Sequence, residues 1–187
     1  MNISILGSNG TLARQLLNHF NQKNTVTTYG KRDYDFLNKS SVYDLSEKIK
    51  DSDIIINCAG VNDKDAWDTF LINAVAPCYL LENLVQKKSK AHFIMIGSHG
   101  SMWTSWPGIS LNRLSYNSSK NSIQSFIQGL SQSSLSDMKL TLMNLSKFKS
   151  NMSNHQGYDI DIVVDAIAYV INKPILVCEF DNYRNND

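Results

Sequence analysis

Apolar positions along the chain follow two alternating rhythms. Short runs of β-type residues, in NISIL, NTVTTYG, DIIINCAG, HFIMIGS, KLTLMNL and ILVCEF, predict strands. The near-continuous apolar character of DIIINCAG and HFIMIGS suits parallel strands covered on both faces. Between the strands the spacing turns helical. Leu12, Leu16, Leu17 and Phe20 share one face, SSVYDLSEKIK reads as a short amphipathic helix capped by Ser40 or Ser41, and DAWDTFLINAVAPCYLLENLVQKK reads as one long helix. Another long helix is expected from about Ser115 to Ser133. A last stripe, Ile160, Val163, Val164, Ile167 and Ile171, is stopped by Pro174. This β-α-β-α order predicts the α/β class: a doubly wound parallel sheet, or Rossmann fold, in three layers α/β/α, spanning residues 1–187 as one domain. The tail DNYRNND is expected to fray.

Composition narrows the setting. With 42% hydrophobic residues, 19% charged residues and a formal charge of +1, the chain resembles an ordinary soluble protein and gives no electrostatic reason to expect nucleic acid or an acidic membrane as partner. No window approaches the roughly 18 apolar residues of a membrane helix, and no secretory leader is evident, so the expected compartment is the cytoplasm. Cys58, Cys78 and Cys178 have neither disulfide-framework nor zinc spacing, and no metal site is expected.

The first candidate chemistry lies where the first strand turns into the first helix, in ISILGSNGTLA. In a doubly wound sheet this turn sits at the carboxyl edge, where a helix N-terminus offers N–H groups and positive dipole to a phosphate. Gly7 and Gly10 would let the backbone approach a pyrophosphate, with Ser8, Asn9, Thr11 and Leu12 around it, and Ala13 would let helix and strand pack closely. Such turns also arise for steric reasons alone. After the second strand the chain reads YGKRDYD. An acid there would favour NAD. Lys31 and Arg32 would instead pair with a 2′-phosphate and favour NADP, although a solvated basic turn explains them equally and Asp33 lies close by.

A second candidate stands out by misplacement. Tyr116, Lys120, Ile123, Ile127 and Leu130 recur at helical spacing, so Lys120 falls on a face that should be buried. Lysine is rarely buried without a partner, and burial lowers its pKa. Asn73 carries an independent backbone signal. Pro77 has no N–H, so the carbonyl of residue 73 loses its helical i+4 donor.

Taken together these segments resemble the short-chain dehydrogenase/reductase family over nearly the whole chain. GSNGTLA resembles the family's glycine-rich turn, Asp35 with Phe36 its adenine-contacting acid, and NCAG (Asn57, Cys58, Ala59, Gly60) its NNAG segment. Asn73 in LINAVAP, Ser98 in IGS, and Tyr116 with Lys120 in YNSSK resemble its Asn-Ser-Tyr-Lys catalytic set. YDFLNKSSV, VNDKDAW and NAVAP also resemble the deoxysugar-nucleotide reductase branch, whereas the stretch from Tyr116 onward resembles the shorter carbonyl reductases.

The resemblance implies hydride transfer between a nicotinamide and a carbonyl or alcohol carbon of a small substrate. Tyr116 would be the acid/base, Lys120 would favour its phenolate and bind the nicotinamide ribose, and Ser98 would hold the substrate oxygen. The family's counterpart of Asn73 binds a water linking the lysine to solvent. Leu145 and Ser146 replace the family's Pro-Gly, Phe148 replaces its valine, and Ser150 takes the place of the threonine that contacts the carboxamide.

The short stretch after Met152 implies a reduced substrate lid. Ser98 and Tyr116 are separated by an insert holding His99, Trp103 and Trp106, which either line the substrate or serve packing or a subunit contact. Ser101 is a lesser alternative to Ser98. The expected cofactor is NADP, with NAD as the alternative, and the resemblance implies a homodimer or homotetramer through the two long helices. The leading function is an NADPH-preferring oxidoreductase. A catalytically weak dinucleotide-binding sensor or scaffold, and a sugar-nucleotide reductase or epimerase, stand beside it.

Overall fold

In the computed structural model, NISIL forms β1 (Asn2–Leu6), which leads through the glycine turn into α1 (Thr11–Phe20). There follow β2 (Thr25–Tyr29), α2 (Lys39–Ile49), β3 (Ile54–Asn57), the paired helices α3 (Ala66–Phe70) and α4 (Ala76–Gln86), and β4 (His92–Ile96). The chain ends with α5 (Leu111–Gln132), β5 (Lys139–Leu145), α6 (Ile160–Asn172) and β6 (Val177–Phe180). The structure describes residues 1–102 and 108–173, and the backbone of 177–180. Trp103, Trp106, Pro174 and the tail DNYRNND lie outside the described residues.

All six strands are parallel, in the order β2-β1-β3-β4-β5-β6. From β1 the chain first builds outward to β2, then returns to place β3 on the other side of β1. The carboxyl ends of β1 and β3 therefore flank the crevice where a doubly wound sheet binds its ligand.

Alternation along each strand serves the two covered faces. Leu6, Ile55, Phe93, Met95 and Leu142 pack with side chains of α2, α4 and α5, while Ile3, Ile5, Ile56, Ile94 and Ile96 pack with α1 and α6. Both layers are continuous, and full burial of each large apolar side chain contributes roughly 1.5–3 kcal/mol. The predicted three-layer Rossmann architecture is the observed one.

Three local expectations change. Helix α2 is capped by Asn38, whose side chain accepts from the amides of Ser40 and Ser41, so the two serines are capped rather than capping. Helix α5 begins at Leu111, with Ser110 accepting from the Arg113 amide, because a serine cap ahead of LNRLS extends the helix beyond its apolar stripe. The expected single helix after β3 is interrupted by a π-helical turn over Leu71–Val75, where the Ala76 N–H reaches back to the Leu71 carbonyl. Pro77 lies just beyond and cannot donate to the carbonyl of Asn73, and a widened turn absorbs such a broken ladder. Among the described residues no helix is long and apolar enough to cross a membrane.

Candidate active site

The glycine turn is held from below by β2. The amides of Gly7 and Ser8 both donate to the Tyr29 carbonyl, at 2.9 and 3.0 Å, and the Gly10 amide donates to Gly7 at 2.9 Å. Gly7 has φ +85°, and a Cβ there would stand 2.8 Å from the Ala59 amide nitrogen. Only glycine meets both demands. Gly10 occupies the cap position of α1 and places no side chain over the first-turn N–H groups of Thr11 and Leu12. This arrangement fits a pyrophosphate cradle.

Beside the cradle a recess of about 320 Å³ is lined by Ser8, Asn9, Gly30, Lys31, Arg32 and Asp33. Asp33 folds back so that its carboxylate accepts from the Gly30 amide at 2.7 Å. A Cβ at residue 30 would stand 2.3 Å from the Ser8 hydroxyl, which would have to rotate aside. Asp33 is thus engaged with the backbone, while Lys31 and Arg32 stay exposed at the recess. Asp35 is exposed and its carboxylate accepts from the Leu37 amide, whereas Phe36 is buried with its ring tilted against Tyr34. Sequence reasoning passed over Tyr34. Its phenol lies beneath the turn against the Gly7 backbone, and burial pushes its pKa up. The one available signal was Tyr34 alternating with Phe36 among acids.

After β3, the buried Asn57 side chain accepts from the Ala59 amide and shapes the Cys58–Gly60 loop. Burial raises the Cys58 thiol to about 12, so it stays protonated as an apolar group beside Lys120. Asn73 clamps the next residue twice: its amide oxygen accepts from the Val61 N–H at 2.9 Å and its amide nitrogen donates to the Val61 carbonyl at 2.8 Å. The same nitrogen donates to Ser119 on α5. The side chain of Asn73 is therefore spent on the loop, leaving its main-chain carbonyl as the group freed by Pro77.

Lys120 is buried as its spacing predicted, and its Nζ donates to the Ile96 carbonyl at 3.0 Å. A Cβ on Gly60 would lie 3.2 Å from both Lys120 Nζ and Asn73 Oδ1, so the two side chains meet over a bare backbone. Desolvation lowers the Lys120 ammonium to about 8. Tyr116 is also buried, with Ser98 near enough to act on its phenol. Burial raises its phenol, with Ser98 and the charge of Arg113 pulling the other way.

Ser98 accepts from the Gly100 amide at 3.2 Å, whereas Ser101 turns away to donate to Gln124 on α5. That contrast separates the two serines: Ser98 faces the phenol. Half-buried His99 opens the turn after Ser98. The contribution of Arg113 was not legible from residue spacing. Its guanidinium carbon stands 5.4 Å from the Tyr116 ring centroid.

Where the family would carry a lid, the chain forms a compact loop. Phe148 bridges to Tyr158, Lys149 pairs with Asp159 at 2.6 Å, and Ser153 donates to the Phe148 carbonyl. Ser150 is buried, with its amide receiving support from Ser153.

Comparison with solved structures gives the architecture a place. A 3-alpha-hydroxysteroid dehydrogenase from a Pseudomonas species, complexed with NADH, superposes with a TM-score of 0.80 at 15% identity, covering 97% of this chain and 95% of that one. A short chain dehydrogenase from Burkholderia cenocepacia, in complex with NADP, gives 0.79 at 13% identity over 96% and 87%. The fold is that of the short-chain dehydrogenases and reductases. A dTDP-4-dehydrorhamnose reductase from Bacillus anthracis, in complex with NADP, gives 0.72 at 17% identity over 97% and 74%. No family model matches the sequence, and no curated protein matches it. The likeness thus resides in the fold.

Proposed function

We propose that the protein is an NAD(P)H-dependent oxidoreductase, NADPH-preferring, acting on a carbonyl or hydroxyl group of a small substrate. The observation that carries this reading is the convergence of buried Tyr116, neighbouring Ser98 and buried Lys120 at the sheet edge that also holds the Gly7–Gly10 turn. Neighbours of the same fold were crystallised with NADP, NADPH or NADH, which supports a nicotinamide dinucleotide as cofactor.

Gly7, Ser8, Asn9, Gly10, Thr11 and Leu12 would hold the pyrophosphate. Lys31 and Arg32 would hold a 2′-phosphate, Asp35 and Phe36 the adenine edge, and Asn57 to Gly60 the backbone wall behind it. Ser150 would face the carboxamide. When bound, the nicotinamide supplies or takes up the hydride. Tyr116 gives a proton to, or takes one from, the substrate oxygen, which Ser98 holds in place. Lys120 would return protons to this pair from solvent through a water held by the Asn73 carbonyl, and it would bind the ribose on turning from Ile96. Homo-oligomer formation through α4 and α5 and a cytoplasmic setting belong to the same proposal.

A second reading, a dinucleotide-binding sensor or scaffold, is favoured by one observation. The stapled loop over residues 147–159 leaves little protein to enclose a substrate. A sugar-nucleotide reductase or epimerase is supported by the fold likeness to the Bacillus anthracis reductase. Titration with NADPH and NADH, followed by oxidation of bound NADPH against a broad carbonyl panel that includes sugar-nucleotide ketones, tests the choice. Tight NADPH binding with no turnover on any carbonyl would select the sensor.

A further inference from the structure

Arg113 lies where substrate chemistry would be read. It sits three positions before Tyr116 on α5, in the helix's first turn. Its guanidinium carbon is 5.4 Å from the phenol ring centroid, which is stacking range for a cation on an aromatic face. One terminal nitrogen lies 3.3 Å from the Cβ position of Gly100, and the Ser98 hydroxyl lies 3.3 Å from that same point. The missing side chain at Gly100 leaves the guanidinium space beside Ser98. Arg113 therefore stands over the phenol and next to the serine.

Among the described residues no carboxylate lies within ion-pair distance of Arg113, whereas Lys50, Lys87 and Lys149 each have one. The side chain is exposed, so its charge carries little desolvation penalty and can meet a ligand from solvent. The ring lies on one side of the guanidinium, whose fixed fan of N–H donors suits a forked contact. That geometry suits a carboxylate or a phosphate better than a neutral group.

We infer that Arg113 is an anion anchor and that the substrate carries a carboxylate or phosphate a few bonds from its reacting carbonyl or hydroxyl carbon. This rests on the oxidoreductase reading above. The distance sets the substrate class: an anion on Arg113 and an oxygen between Ser98 and Tyr116 belong to one short molecule, such as an oxo acid or a phosphorylated ketone. Charge on Arg113 also acts on the Tyr116 phenol, so an overall rate loss on mutation would be ambiguous. A ratio between charged and neutral substrates removes that ambiguity, because an effect on the phenol reaches both alike.

The test compares wild type, Arg113→Met and Arg113→Lys on 2-oxo and 3-oxo acids, phosphorylated ketones and their uncharged methyl-ester or hydroxyl counterparts, with NADPH as reductant. Wild type should prefer the anionic member by roughly tenfold or more in kcat/KM. Arg113→Met should erase that ratio and Arg113→Lys restore part of it. Calorimetry on the NADPH-saturated protein with 3-oxobutanoate and its methyl ester provides a readout without turnover, and the acid should bind more tightly only when residue 113 is cationic. Equal ratios in wild type and Arg113→Met, or equal binding of acid and ester, would overturn the anchor. Turnover of the esters with no preference for acids refutes the anchor alone. Absence of turnover with a charge-dependent binding difference refutes the oxidoreductase reading and keeps the anchor.

Discussion

The Nζ of Lys120 donates to the carbonyl of Ile96 at 3.0 Å, so a buried ammonium is met by a neutral backbone group. Desolvation outweighs that one bond and lowers the folded-state value to about 8, against 10.5 for a free lysine. Between those values the unfolded chain binds more protons than the folded one, so stability rises with pH across this window. The cost is fully present below pH 8. Lys120→Met should therefore stabilise the fold at pH 7, by on the order of 2 kcal/mol in denaturant unfolding, with the gain fading toward pH 10.5. A loss of stability at pH 7 would show that the ammonium is better compensated than its partners indicate.

Tyr116→Phe removes only the phenol oxygen that meets Ser98. Turnover should fall by about 10²–10⁴-fold, the range for loss of a general acid or base. NADPH affinity, measured by fluorescence titration, should change less than about threefold, since the cradle at Gly7–Gly10 is untouched. Retained turnover would assign the proton transfer elsewhere.

At the recess beside Ser8, the paired change Lys31→Ala with Arg32→Ala should weaken NADPH binding by roughly tenfold or more while leaving NADH binding nearly unchanged, because each lost charge-assisted contact is worth about 1.5–3 kcal/mol. Equilibrium titration with both nucleotides reads the difference. A parallel loss of both would place these side chains on a shared part of the cofactor.

Gly7→Ala would combine a φ of +85° with a Cβ 2.8 Å from a backbone nitrogen. The expected result is a loss of about 1–3 kcal/mol in stability together with loss of dinucleotide binding, measured by thermal unfolding with and without NADPH. A variant that still gains the full NADPH-induced shift in Tm would mean that the turn does not carry the pyrophosphate.

His92 begins β4 buried, with Nε2 paired to the Thr141 hydroxyl and Nδ1 without a partner among the described residues. Burial pulls its folded value down to about 4, below the ordinary 6.5. The neutral ring is thus the folded form, and stability is lost as pH falls from 6.5 toward 4 because the unfolded chain takes up the proton first. His92→Gln, able to keep a bond to Thr141, should flatten that part of the stability profile. An unchanged acid limb would remove His92 from the account.

Much of this was legible in the sequence because the signals were periodic. Continuous apolar runs gave the parallel strands, and one lysine on an apolar stripe marked the site. Arg113 escaped because its partner is an aromatic face reached across one helical turn, and an exposed arginine at a helix start has no spacing signature. The Asn73 clamp escaped because it depends on where the β3 loop passes. The π-turn before Pro77 was half legible: proline announced a lost donor, but only packing decides whether a helix kinks or widens.

The tight backbone approaches also limit how this chain can change over generations. A side chain at Gly97 would put its Cβ 2.3 Å from the Asn144 amide oxygen and 3.0 Å from Leu142, while Asn144 itself donates to Gln124. A side chain at residue 97 thus requires Asn144 to turn away or shrink, which disturbs Gln124, the residue that also holds Ser101. Change at the strand end leading into Ser98 is therefore coupled to side chains one layer further out.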